Sequence, residues 1–136
     1  MPEQRRFPPD DPREWVKRAR SDLALARRAI KGVYLEDLCF HAQQAAEKAI
    51  KAVLISQEVE FPYVHDLRRL LELVEKAGVL IPDDVQKAES LTRFAVVTRY
   101  PGVGRAPSVR DHKTALRLAQ TVVRWAEQIL SGWRKS

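Results

Sequence analysis

A chain of 136 residues with 45% hydrophobic side chains can bury one core and is too short for two ordinary domains. Its single cysteine, Cys39, excludes an intrachain disulfide and a cysteine-rich zinc site, and reads as a small buried hydrophobe between Leu38 and Phe40. The formal net charge of +6 comes wholly from the last third: residues 90–136 hold nine basic and two acidic side chains, whereas residues 1–89 hold fifteen and sixteen.

No apolar run approaches the ~20 residues of a membrane span. The first twelve residues are charged and Pro-rich, unlike a signal peptide, so the expected location is the cytoplasm. Residues 1–10 are expected to form a flexible N-terminal segment and residues 11–136 a single helical domain. Asp10 or Asp11 can N-cap the first helix, with Pro12 at its first position and Glu14 in its first turn. Trp15, Ala19, Leu23, Ala26 and Ile30 recur at helical spacing, which predicts a helix to about Lys31 that stops at Gly32.

The second helix is predicted from about Leu35 to Gln57. Its stripe of Leu38, Ala42, Ala45, Ala49 and Val53, widened by Ala46, lets another helix approach closely. Phe61-Pro62 breaks the chain. A third helix near His65 to Ala77 turns Leu67, Leu70, Leu71 and Val74 inward and ends at Gly78. Pro82 and Asp83 open a fourth, which carries Val85, Ala88, Leu91 and Ala95 to about Thr98. Pro101-Gly102 and Gly104 mark a loop. Ser108 caps a last helix to about Leu130, with Ala115, Leu118, Ala119, Val122, Ala126 and Ile129 inward. The fold class is therefore all-α, and the short connections favour an up-and-down antiparallel bundle of about five helices.

A few polar residues fit such a bundle poorly. On a helical wheel His41, Gln44, Lys48 and Lys51 form one polar ribbon beside the core stripe of the second helix, although an ordinary solvated flank reads the same way. Asp22 lies near the middle of the first helix's apolar face, where a charged carboxylate needs a cation or several donors. Either the helix rotates to bring Asp22 to the rim, or a partner reaches it from another helix; Lys48, His41 and Arg99 are the candidates. Between Glu89 and Asp111 lie four arginines and no acid, a segment suited to phosphate by charge and bidentate geometry, or else a solvated basic surface. There is no Gly-rich phosphate loop, no G-x-S-x-G and no H-E-x-x-H, and no metal or cofactor is expected. Helix-borne Arg/His chemistry on RNA and nucleotide binding remain.

The run from Cys39 to Ala52, C-F-H-A-Q-Q-A-A-E-K-A-I-K-A, resembles the central helix of the HEPN domains (higher eukaryotes and prokaryotes nucleotide-binding). Three further pieces fall in the family's order: Ala19-x-x-Asp22-Leu23, His65-Asp66-Leu67 and Thr98-Arg99-Tyr100-Pro101. The resemblance covers about residues 13–130. It implies a bundle of about five helices that commonly forms a homodimer, with nucleotide or RNA as ligand. It also implies a separately encoded minimal nucleotidyltransferase as partner in a toxin–antitoxin-like pair. The binding positions it suggests are His41, Gln44, Lys48, His65, Arg99 and Tyr100, supported by Asp22.

Many members of that family are metal-independent RNases with an Arg and a His separated by four to six residues. After Arg99 the positions for that His hold Gly104, Arg105 and Ala106, none of which can shuttle a proton. Arg105 and His112 have six residues between them, but Arg105 lies in the Pro/Gly loop and Pro107 intervenes, so the pair reads as a diverged match. If it worked, His112 would be the acid or base for attack by a ribose 2′-hydroxyl and Arg105 would stabilise charge on the phosphate. The first expectation is thus a binding subunit; the alternative is an RNase toxin.

Overall fold

The structure is a computed structural model that describes residues 4–95, 101–102 and 104–135. Among them it contains α1 (Pro12–Ala26), α2 (Leu35–Ser56), α3 (Leu67–Lys76), a single turn α4 (Asp83–Gln86) and α5 (Val109–Leu130). A 3₁₀ helix, Lys87–Phe94, continues α4. No described residue is in a strand. The architecture is the expected all-α bundle, and no helix in it is long and apolar enough to cross a membrane.

Caps set most of the helix starts. The Asp11 carboxylate accepts from the Arg13 amide with Pro12 in the first turn, and Asp66 accepts from the Arg68 amide to start α3. Ser108 and Asp111 form a reciprocal capping box at the start of α5. Gly78, at φ +86°, provides the left-handed residue that ends α3. Glu58 takes φ +57° after α2, where the Val59 amide donates back to the Leu54 carbonyl.

α2 is the central element: α1, α3, the 3₁₀ segment and α5 all contact it. Ala42, Ala45, Ala46 and Ala49 are fully buried, and they meet further alanines on α1 (Ala19, Ala26) and α5 (Ala115, Ala119, Ala126) in the same core. Small side chains at these contacts allow close interaxial approach. Ile50 and Leu54 fill the wider end with Leu67, Leu70, Leu71, Val74, Val85 and Leu91. Cys39 is buried in this core as expected.

Two boundaries differ from the sequence expectation. α1 ends at Ala26, not near Lys31. In a longer helix the Ala26 carbonyl would accept from the Ile30 amide; instead it accepts from His112 Nε2 of α5 at 2.7 Å, and the Ile30 amide turns to Arg28. Ile30, expected in the core, is 59% exposed. The predicted fourth helix is one α turn followed by 3₁₀ helix. Its buried residues Val85, Ala88, Leu91 and Phe94 fall every third position, which aligns on one face in a 3₁₀ helix and drifts off it in an α-helix.

Residues 4–11 lie along α1. The Phe7 amide donates to Glu14 Oε1 at 2.9 Å, Trp15 Nε1 donates to the Pro9 carbonyl at 2.7 Å, and Lys17 Nζ donates to the Arg5 carbonyl.

Candidate functional site

Asp22 is buried, 6% exposed, and a partner does reach it from another helix. Its Oδ1 lies 3.0 Å from His41 Nδ1 and its Oδ2 lies 2.6 Å from Lys48 Nζ, both on α2. His41 and Lys48 are separated by two helical turns, so they reach the carboxylate from either end. Both keep part of their side chain open to solvent.

A second carboxylate organises the next stretch of the same helix. Glu47, 3% exposed, accepts from Gln43 Nε2 at 2.9 Å, His65 Nδ1 at 2.8 Å and Lys51 Nζ at 2.9 Å. Burial pushes the Glu47 carboxyl up, but the hydrogen bonds from Gln43, Lys51 and His65 outweigh it and hold the group below the usual glutamate range. Lys51 Nζ also lies 5.5 Å from the Phe61 ring centroid. Gln44 Nε2 donates to Gln43 Oε1 at 2.7 Å, which ties the ribbon to this cluster.

The result is one polar face of α2 held by two buried acids. In each imidazole–carboxylate pair Nδ1 faces the acid, so Nε2 is the nitrogen turned away from it. That arrangement fixes ring orientation. With Lys48 it presents cationic and donor groups from one helix, which suits a phosphate or the polar edge of a base. Among the described residues no three His, Cys, Asp or Glu side chains converge as a metal site would require.

The sequence matches the HEPN domain family over residues 12–129. The chain is a HEPN-domain protein. Two solved structures resemble it at 31% identity, each over 88% of this chain and 98% of its own: TT1696 from Thermus thermophilus, with a TM-score of 0.74, and ST0689, described as an archaeal HEPN homologue, with a TM-score of 0.68. A curated protein of Methanocaldococcus jannaschii named "Putative toxin MJ1304" is 34% identical over 97 residues, which is 64% of this chain and 61% of that protein.

Of the positions expected from the HEPN resemblance, His41 and Lys48 meet on Asp22, and His65 joins Glu47. Gln44 links to the second group through Gln43. Arg99 and Tyr100 lie outside the described residues. His112 is buried, 6% exposed, with Nε2 committed to the Ala26 carbonyl, while Arg105 is exposed in the loop before α5. Sequence reasoning missed Gln43 and Glu47. Their signal was present as Gln43, Glu47 and Lys51 at successive i, i+4 spacings.

Four of the basic residues of the C-terminal third lie on α5. Arg110, Lys113, Arg117 and Arg124 fall within roughly 60° of arc on α5 at 3.6 residues per turn. Arg124 lines a groove between α1 and α5 together with Arg20, Arg27, Leu23, Val123 and Glu127, and Glu127 pairs with Arg20.

Proposed function

We propose that this HEPN-domain protein is a nucleotide- or RNA-binding subunit that works in the cytoplasm with a separately encoded minimal nucleotidyltransferase, in a toxin–antitoxin-like pair. The observation that carries the reading is the Asp22 site: a buried carboxylate on α1 that holds His41 and Lys48 of α2 with their outer atoms toward solvent. A purely structural bundle has no need of a half-open cation there, since an apolar pair of the same shape is often at least as stable. Arg99 and Tyr100 complete the proposed binding set. The basic ridge of α5 offers further phosphate contacts.

The alternative reading, a metal-independent RNase toxin acting through Arg105 and His112, draws on the name given to the M. jannaschii relative. The binding reading is preferred because His112 Nε2 already serves the last carbonyl of α1. We further propose that the protein is a homodimer. The Ala-rich stripe of α2 is consumed inside the protomer and offers no surface for self-association. Exposed apolar side chains instead gather by sequence at the α1–α2 junction, with Leu25, Ile30, Val33 and Tyr34.

Titration of wild type, Lys48→Ala and Gln44→Ala with a labelled short RNA at two salt concentrations tests the binding reading. Wild type is expected to bind, more weakly at high salt, and Lys48→Ala to bind about tenfold more weakly. No binding by wild type, or equal binding by all three, overturns it. RNA cleavage in EDTA that His112→Ala abolishes would establish the alternative. Co-expression with a neighbouring nucleotidyltransferase reading frame tests the partner, and sedimentation at micromolar concentration tests the dimer.

A further inference from the structure

Upstream of the family-matched residues, the segment 4–11 builds two clefts against α1 that share Arg18 and Glu14. One cleft, about 330 Å³, is walled by Phe7, Pro9 and Trp15 and opens onto Lys48. Its walls are fixed. The Trp15 indole donates to the Pro9 carbonyl and meets Phe61 edge-on at 6.2 Å, and the Phe7 backbone is tied to the buried Glu14. The other cleft, about 560 Å³, is walled by Arg5, Arg6, Lys17 and Arg18, with Gln4 and Ser21. Among the described residues Arg5, Arg6 and Lys17 have no carboxylate within salt-bridge distance; Arg5, Lys17 and Arg13 lie over the Phe7 ring, 4.9, 5.6 and 4.1 Å from its centroid, and Glu14 is already engaged by Arg18 and the Phe7 amide.

An aromatic slot joined through one arginine to a basic recess matches a ligand with a flat ring at one end and several phosphates at the other. We infer that the N-terminal segment and α1 form a site for a nucleoside 5′-polyphosphate, its base in the Phe7–Pro9–Trp15 slot and its phosphates in the Arg5–Arg6–Lys17–Arg18 recess. This rests on the nucleotide-binding reading above and extends it to Arg5, Arg6, Phe7 and Pro9, outside the HEPN match. Stacking on aromatic side chains tolerates any base, so the slot supplies affinity and the recess selects the number of phosphates. Lys48 connects the slot to the Asp22 site, so one ligand can reach both. The same chemistry occurs in a free nucleoside triphosphate and at the 5′ end of a primary RNA transcript.

Calorimetry on the full chain with ATP, inorganic triphosphate and adenosine tests the proposal, beside short RNAs bearing a 5′-triphosphate or a 5′-hydroxyl. ATP is expected to bind at least about tenfold more tightly than triphosphate or adenosine alone. Arg5→Ala/Arg6→Ala is expected to weaken ATP about tenfold and leave adenosine unchanged; Phe7→Ala is expected to weaken ATP and leave triphosphate unchanged. Both changes are in the surface segment, and circular dichroism of each variant checks that the bundle is intact. A preference for 5′-triphosphate RNA over ATP assigns the site to RNA ends, and the reverse preference assigns it to free nucleotide. If Lys48→Ala weakens RNA binding while the Arg5/Arg6 and Phe7 variants bind ATP as wild type does, the α2 reading stands and this one falls. If wild type binds neither ATP nor RNA, both fall.

Discussion

Glu47 is the most consequential single side chain for stability at this site. Replacing it with Ala removes the acceptor for Gln43, Lys51 and His65 together. His65 is largely exposed and can turn to water, but the Lys51 side chain is only 8% exposed and would keep its charge without an anion. Breaking a buried ion pair from one side costs about 3–5 kcal/mol. The Phe61 ring beside Lys51 offsets part of this, so the expected loss is roughly 3 kcal/mol at neutral pH. For a domain of this size that is a fall of about 10 °C in melting temperature. The loss should depend on pH. Because the folded protein holds the Glu47 carboxyl below its unfolded value, the ionised group stabilises the fold above the ordinary glutamate range. That contribution disappears as pH falls through the lowered folded value. Urea unfolding followed by circular dichroism, on wild type, Glu47→Ala and Glu47→Gln from pH 7 down to about pH 3, measures both effects. The gap between wild type and Glu47→Gln should narrow with acid. A loss under about 1 kcal/mol at pH 7, or a gap independent of pH, would refute the argument.

Burial pushes the Cys39 thiol up to about 11, so at pH 8 roughly one molecule in a thousand carries the thiolate; Ellman's reagent should react with it only after denaturation. Glu58→Gly, which relieves a left-handed backbone at a residue with a side chain, should raise stability by about 0.5–1 kcal/mol in urea melts, and a loss of stability would contradict that reading. His112→Ala, which leaves the Ala26 carbonyl without its partner under α5, should cost about 1–3 kcal/mol, whereas Arg105→Ala in the exposed loop should stay within about 0.5 kcal/mol; equal costs would mean that His112 does not anchor the end of α1.

Much of the fold was legible because local chemistry decides it. Asp11, Asp66 and Ser108 cap the helices from their own neighbourhoods, and the stripe of α2 repeats over a helix long enough to read. Where the reading failed, a distant contact or the wrong period was responsible. Nothing near Ala26 in sequence announces that a histidine 86 positions later will take its carbonyl. The fourth helix was read from Val85, Ala88, Leu91 and Ala95 at α-helical spacing; Ala95 is buried, but so is Phe94, and the series 85, 88, 91, 94 has a period of three. Asp22 could be singled out because it interrupts an apolar face. Glu47 was missed because it lies across the wheel from the Ala-rich stripe and looks solvated, so its i, i+4 spacing with Gln43 and Lys51 read as an ordinary surface pattern. Only when α3 and the His65 segment cover that side does the central helix become buried on more than one face.

The two acids on and beside α2 act alike but leave different residues open. Glu47 spreads its charge over three donors, one of them the buried ammonium of Lys51, and so works mainly inward. Asp22 takes two donors whose side chains remain about a quarter to a third exposed, 27% for Lys48 and 30% for His41. A buried ion pair is weak evidence for stability, because apolar replacements of similar volume are often neutral or better. Its clearer consequence is geometric. Lys48, which on an uncovered helix would sample many rotamers, is held at the mouth of the Phe7–Trp15 cleft by a carboxylate from the neighbouring helix. On the proposed RNA-binding reading, a backbone phosphate reaching Lys48 would meet an ammonium already in place, with less side-chain entropy left to lose on binding. Asp22 thus fixes where the Lys48 ammonium sits. On the same reading, a carboxylate in the middle of an apolar helix face would serve the site by placing Lys48 rather than by touching the ligand.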